Sequence, residues 1–216
     1  MKLKVTALAA ILLLGAVAYL GYGKYQDFRF IESSTPFVKN SSLRLMNELN
    51  ILTASNSGIT YKEMFERLEL DISEIDKNIL QIQTIATPKH NALSEPILAY
   101  LNGAQVLQRA MLSKFRKYFV LSSALDQTIE AGEELKDSNE YTRDIYLKQF
   151  NRGQEEVTKA MSEHEQASVS LLDAAKRMKE LTIQVKKVVS GDSVIEISKL
   201  DAVISKVKLD ETSKSE

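Results

Sequence analysis

The feature that most limits what this chain can fold into is a heptad pattern near its carboxyl end. From Tyr146 to Val188, apolar and small residues recur at alternating spacings of four and three without a slip. This spacing lines up side chains along one side of an α-helix. It predicts a helix from Glu140 to Val189, about 75 Å long if unbroken and far longer than an average globular helix. The pattern comprises Tyr146, Phe150, Gly153, Val157, Ala160, His164, Ala167, Leu171, Ala174, Met178, Leu181, Val185 and Val188.

A first helix is predicted upstream by Thr35 and Pro36, because threonine is a common N-cap and proline is favoured at the first helical position. The helix begins there or at Ser41, and it ends at about Thr53, before the polar run at 54–58. Its apolar face comprises Leu45, Leu49 and Leu52.

The clearest helix start is Thr60, which forms a capping-box pattern with Glu63. Apolar residues then alternate by four and three as far as Ala86, and the segment from Thr87 to Asn91 ends the helix. A two-helix contact buries such a stripe, so this helix is expected to pack against a neighbour. The stripe comprises Tyr61, Phe65, Leu68, Ile72, Ile75, Ile79, Ile82 and Ala86.

A third helix is predicted to restart at Ser94 and Pro96 and to reach a turn at 137–139. Its stripe is less uniform than the others because Gln108 and Ser122 are polar. This stripe, called here the α3 stripe because it belongs to the third predicted helix, comprises Leu101, Ala104, Gln108, Met111, Phe115, Tyr118, Ser122, Leu125, Ile129 and Gly132.

The chain ends with a predicted short helix. Ser190 and Gly191 terminate the longest helix, and Ser193 and Glu196 form a second capping-box pattern. The inward residues of the short helix are expected to be Ile197, Leu200, Ile204 and Val207.

The amino-terminal segment indicates where the chain is delivered. Lys2 and Lys4 precede an 18-residue stretch without a charge, from Val5 to Tyr22. As a helix this stretch is about 27 Å long, close to the thickness of one hydrocarbon core. We therefore expect an anchor in the inner membrane, with the lysines in the cytoplasm and the bulk of the chain in the periplasm.

A cleaved signal peptide is the alternative for the same segment. Gly15 to Ala18 offers the small residues of a cleavage site, and cleavage after Ala18 would secrete a protein that begins at Tyr19. The anchor is favoured because the apolar character continues past Ala18 through Leu20.

Composition excludes several classes of protein. The chain has 216 residues and no cysteine, which rules out disulfides, thiolate metal sites and cysteine nucleophiles. Its 28 basic and 29 acidic residues nearly balance, so no overall charge attracts it to nucleic acid. Its 8 glycines and 3 prolines are few, which argues against a many-stranded β fold.

The predicted fold class is all-α, an elongated antiparallel helical bundle with coiled-coil-like heptad stripes. A coiled-coil oligomer that uses the same stripes is the alternative. Along the chain we expect an anchor or signal segment at 1–23, a juxtamembrane linker at 24–34, the extracytoplasmic bundle at 35–209 and a disordered tail at 210–216.

Neither histidine predicts a metal site. The helical neighbours of His164 at three and four residues are Ala160, Met161, Ala167 and Ser168, none of them a strong ligand, so a helix-facing histidine with a cross-helix partner is expected. His90 lies in a predicted loop and is expected to be solvated. No catalytic motif is recognisable, so no catalytic residue, cofactor or metal is predicted.

Cations alternate with aromatic residues from Lys114 to Phe119. We interpret this as an amphipathic face, with Phe115, Tyr118 and Phe119 inward and the lysines in water. Arg109 and Arg116, one heptad apart, could instead line a cleft for a carboxylate or an envelope polymer.

We therefore expect a membrane-tethered scaffold or adaptor of the bacterial cell envelope that acts through protein–protein interaction and is not an enzyme. A periplasmic ligand-binding module resembling the sensor part of a receptor is the alternative. Self-association or partner docking is expected along the longest helix, where one neighbour cannot cover every apolar residue. The residues left over are Val169, Leu172, Ile183 and Val189.

Overall fold

The computed structural model describes residues 2–53 and 59–205, with side chains at 21–52 and 59–205. This part of the chain contains five packed α-helices and no strand, which confirms the all-α prediction. The helices are α1 Lys2–Thr53, α2 Tyr61–Ile85, α3 Asn91–Asp137, α4 Arg143–Val185 and α5 Asp192–Ile204, with a short 3₁₀ helix at Pro88–His90.

Helices α3 and α4 form a long antiparallel hairpin that the other helices join. The two helices approach closely where glycines face the opposite helix: a Cβ atom on Gly153 would lie 2.6 Å from Oγ1 of Thr128, and one on Gly132 would lie 3.3 Å from the Phe150 ring. The predicted stripe of α4 faces this contact. Its buried members are Ala160, Ala167, Leu171, Ala174, Met178 and Val185.

Helices α1, α2 and α5 cover only one half of this hairpin. Within the described residues, no side chain between Phe115 and Leu171 belongs to the main hydrophobic core. The remaining half, residues 116–170, is called here the arm. Its α3 portion, 116–137, extends about 33 Å beyond the core.

Helix α1 begins before the predicted start at Thr35 and Ser41, and the predicted linker at 24–34 is helical. Pro36 lies inside α1, where it removes one backbone donor. Burial of Phe30 and Val38 on either side of it explains why the helix continues, since both side chains belong to the core.

The structure contains one of the two predicted capping boxes. The capping box at Thr60 and Glu63 is present, with the Glu63 backbone N–H donating to Thr60 Oγ1 at 3.3 Å. The second predicted box is wrong: α5 begins one residue before Ser193, after Gly191 at φ 63°. The Ser193 hydroxyl is buried and donates to the Thr35 carbonyl at 3.4 Å.

Several predictions fall outside the described part of the chain. These are the break at 54–58, the inward position of Val207, the tail at 210–216, and the side chains of residues 1–20 with the cleavage position at Ala18. Where side chains are described, the helices include none with the length and apolar character of a membrane span.

Candidate functional site

The α3 stripe is buried in one half of the molecule and uncovered in the other. Leu101 and Met111 are fully buried, whereas Leu125 is 42% exposed and Ile129 is 60% exposed. The stripe changes from buried to exposed near Tyr118. Tyr61, the first residue of α2, packs on α3 there, with the ring centroids of Tyr61 and Tyr118 5.7 Å apart. The stripe thus continues past the start of α2, the helix that covers it.

Helix α4 carries a second row with the same division. Thr182 and Ala175 face the bundle and are buried. Seven-residue steps from Ala175 towards the turn reach Ser168, Met161, Gln154 and Leu147. Ser168 is half-buried, whereas Met161 is 49% exposed and Leu147 is 43% exposed. Residues seven positions apart lie on the same side of a helix that packs against a partner. These positions therefore lie on the same side of the hairpin as Thr182 and Ala175, which the other helices cover in the bundle half.

The two uncovered rows form one surface, called here the arm face. Tyr118 and His164 connect the rows, with ring centroids 5.8 Å apart. The arm face comprises Tyr118, Ser122, Leu125 and Ile129 of α3, and Leu147, Gln154 and Met161 of α4.

Exposed acidic residues flank the arm face. Asp126 and Glu133 follow Ser122 and Ile129 by four residues on α3, and Asp144 and Glu165 occupy the outer flank of the α4 row. None of these four acids forms an ion pair with another described residue.

Two ion pairs lie on the opposite side of the arm. Lys117 donates to Glu163 across the hairpin at 2.7 Å, and Arg152 pairs with Glu156 along α4 at 3.0 Å. The hydrogen bond from Lys117 lowers the pKa of Glu163. Unpaired exposed acids such as Glu134 and Glu155 also lie off the arm face. The exposed cations Lys136 and Arg143 lie next to its two rows, so the arm face carries charges of both signs.

His164 lies at the end of the arm face that is nearest the bundle, where it is half-buried beside Tyr118. Burial lowers its pKa, and the nearby charge of Lys114 adds to the effect. Among the described residues, no group of three or more histidine or acidic side chains is placed to hold a metal ion.

The prediction that His90 is solvated is wrong. Its side chain is buried and stacks on Phe30 with ring centroids 4.7 Å apart. The Thr87 backbone N–H donates to Nδ1 at 3.3 Å, which turns the imidazole inward. The sequence pattern could not show this because α1 was not expected to reach residue 30.

The segment from Lys114 to Phe119 also differs from its prediction. Tyr118 and Phe119 are exposed, not inward, because α2 begins at this level and covers them only with Tyr61. Phe115 is half-buried against the core.

A shallow cleft of about 620 Å³ lies where Arg109 and Arg116 were expected to line one. Arg116 is engaged by Glu69 of α2 at 2.6 Å. The charge of Arg116 is neutralised by Glu69, so Arg109 is left beside an ion pair. This makes the cleft a poor site for a carboxylate.

Of the four residues expected to remain uncovered along the longest predicted helix, only two are exposed. Val169 and Ile183 are 53% and 54% exposed. Leu172 is half-buried. Val189 is buried in the core, so its predicted exposure is wrong.

Comparison of the chain with known protein families, curated proteins and solved structures found no match.

Proposed function

We propose that this chain is a helical adaptor of the bacterial cell envelope, tethered to the inner membrane, that binds a protein partner through the arm face. The observation that supports docking is the course of the α3 stripe. The stripe keeps its heptad spacing from the core into the arm, although α2 stops covering it near Tyr118. An apolar surface that continues a packed core is suited to receive another helix.

The tether rests on the amino-terminal sequence. The uncharged stretch from Val5 to Tyr22 suits one membrane crossing. Helix α1 runs in the same direction as α3, since Phe30 contacts His90 and Ser42 contacts Tyr100. A tether at the start of α1 would therefore lie at the end of the molecule opposite the arm, which places the arm face away from the membrane.

Position-specific photocrosslinking tests the docking role. A photoreactive residue at Leu125 lies on the arm face, whereas one at Val120, which is 49% exposed, lies on the other side of the same helix and serves as the matched control. In cells that express the full chain we expect a discrete crosslinked protein from position 125 and none from position 120. Equal products from both positions, or no product from position 125, would contradict the proposal.

The mature amino end tests the tether. We expect membrane-bound protein that resists a high-salt wash and retains the residues before Tyr19, as measured by mass spectrometry. A soluble protein that begins at Tyr19 would show cleavage after Ala18 instead.

A further inference from the structure

We propose that the partner of the arm face is a second copy of this chain, packed about a twofold axis that runs along the two arms. This inference rests on the proposed docking role of the arm and names its occupant. In this arrangement α3 of each copy lies against α4 of the other, so the two hairpins form a four-helix bundle. Both tethers would enter one membrane from the same side, because the axis runs along the arms and each tether lies at the opposite end of its molecule.

The size of the arm face suits such a contact. From Tyr118 to the end of α3 at Asp137 the surface is about 29 Å long, and two helices side by side are about 20 Å wide. Each copy would therefore bury about 600 Å², or about 1,200 Å² in total, which lies at the lower end of specific interfaces between proteins. Leu125 and Ile129, which are exposed in the single chain, would be covered.

The register between the two copies follows from the contacts inside the hairpin. Thr128 lies opposite Gly153, and Gly132 lies opposite Phe150. A twofold axis along the arm keeps every residue at its own height, so the same register holds between α3 of one copy and α4 of the other. On this register Ile129 of one copy faces Gln154 of the other.

The acids beside the arm face are compatible with this register. Asp126 of α3 comes within one helical turn of the level of Thr158 in the second copy. Glu133 comes equally close to the level of Asn151. Both of these α4 residues are exposed and uncharged. The α3 acids of one copy therefore face polar residues of the other and not its acids, so the like-charge repulsion that suppresses association is avoided.

Near the turn, opposite charges come together. Lys136 lies in the α3 row, within one helical turn of the level of Asp144 in the second copy. Neither residue forms an ion pair with another described residue of its own chain. The twofold axis repeats this contact, so one lysine and one aspartate of each copy are engaged. Arg143 begins α4 level with the turn, beyond the last residue of α3, where the contact between the copies ends.

Introduced cysteines test the arrangement, because the chain has none of its own. Two full-length copies with different tags are produced together, one with Ile129→Cys and the other with Gln154→Cys, and isolated membranes are treated with a mild oxidant. We expect a disulfide-linked dimer that contains both tags. The matched control pairs Gln127→Cys with Lys159→Cys, at exposed positions on the other side of the arm, and should give no dimer.

Exchange of charges between Lys136 and Asp144 makes the test specific. When both copies carry Lys136→Glu, or both carry Asp144→Lys, like charges meet twice and we expect disulfide formation to slow about tenfold. When one copy carries Lys136→Glu and the other carries Asp144→Lys, opposite charges meet at both places and the rate should return. Glu134→Lys in both copies reverses an exposed charge off the arm face and should leave the rate unchanged. Circular dichroism should show equal helicity in all variants.

Four results would overturn the inference. They are no dimer from positions 129 and 154, an equal yield from the control pair, no slowing when both copies carry the same reversal, and a mixed pair as slow as the matched ones. If the cysteines give no dimer while position 125 captures a different protein in cells, the occupant is not a second copy and the docking role stands. If position 125 captures nothing in cells, the docking role fails as well.

Discussion

At the scale of single residues, Tyr100 shows how the bundle accommodates a polar atom in its core. The side chain is fully buried, and its hydroxyl lies 2.6 Å from Ser42 Oγ. The Ser42 hydroxyl donates to the Val38 carbonyl at 2.7 Å, so Tyr100 is the donor in the pair. Burial raises the pKa of Tyr100 far above its ordinary value, which keeps the hydroxyl protonated.

Removal of this hydroxyl tests the strength of the pair. We expect Tyr100→Phe to lower the free energy of unfolding by about 1 kcal/mol, because a buried hydrogen bond is lost while the ring remains. In a protein of this size that corresponds to a fall in Tm of about 2–4 °C. Chemical denaturation of the variant and the parent measures the difference.

Ser42→Ala provides the control through a double-mutant cycle. The combined variant should lose less stability than the sum of the two single variants, because the same bond is removed twice. Strictly additive losses would show that the pair contributes nothing of its own.

Residues whose partners lie close in sequence were predictable, and those with distant partners were not. The capping box at Thr60 and Glu63 depends on backbone groups three residues apart, and it is present. Ser193 showed the same local pattern, yet its hydroxyl bonds to the carbonyl of Thr35, 158 positions away. No local pattern could reveal that contact, or the stacking of His90 on Phe30.

At the scale of helices, the hairpin depends on small residues at the contact between α3 and α4. A Cβ atom on Gly153 would meet Thr128, including its Cα atom at 3.3 Å. Backbone cannot move aside as a side-chain end can. At Gly132 the nearest atoms belong to the Phe150 ring, which is half-buried and has room to shift.

These two glycines are therefore expected to respond differently to alanine. Gly153→Ala should destabilise the hairpin by about 1–3 kcal/mol, since overpacking outweighs the gain in helix propensity. Gly132→Ala should be nearly neutral, because a gain of about 1 kcal/mol in propensity offsets a small displacement of the ring. Thermal unfolding followed by circular dichroism compares the two variants, and an equal effect would contradict this account of the contact.

Helical periodicity was readable from the sequence, but the extent of each helix was not. The α3 stripe was predicted in full, whereas its division near Tyr118 depends on where α2 begins relative to α3. Helix α1 passes through Pro36 because packing of Phe30 and Val38 outweighs the local signal for a helix start.

At the scale of the whole molecule, the bundle and the arm differ in what stabilises them. The bundle half shares a core to which all five helices contribute. The arm, residues 116–170, is held mainly by the contact between α3 and α4, with small buried residues such as Ala124 and Ala160. Small side chains bury little apolar area, so the arm gains less stabilisation per residue than the bundle.

Hydrogen exchange should resolve this difference within the folded protein. Backbone amides in the arm are expected to exchange faster than those at 97–112 of α3 and 171–185 of α4, because the arm can open without exposing the shared core. Mass spectrometry of the full chain measures both regions in one experiment. Equal protection along the hairpin would show that it opens as a single unit. Binding of a helix on the arm face should selectively slow exchange in the arm, since it would add there the coverage that α2 supplies in the bundle.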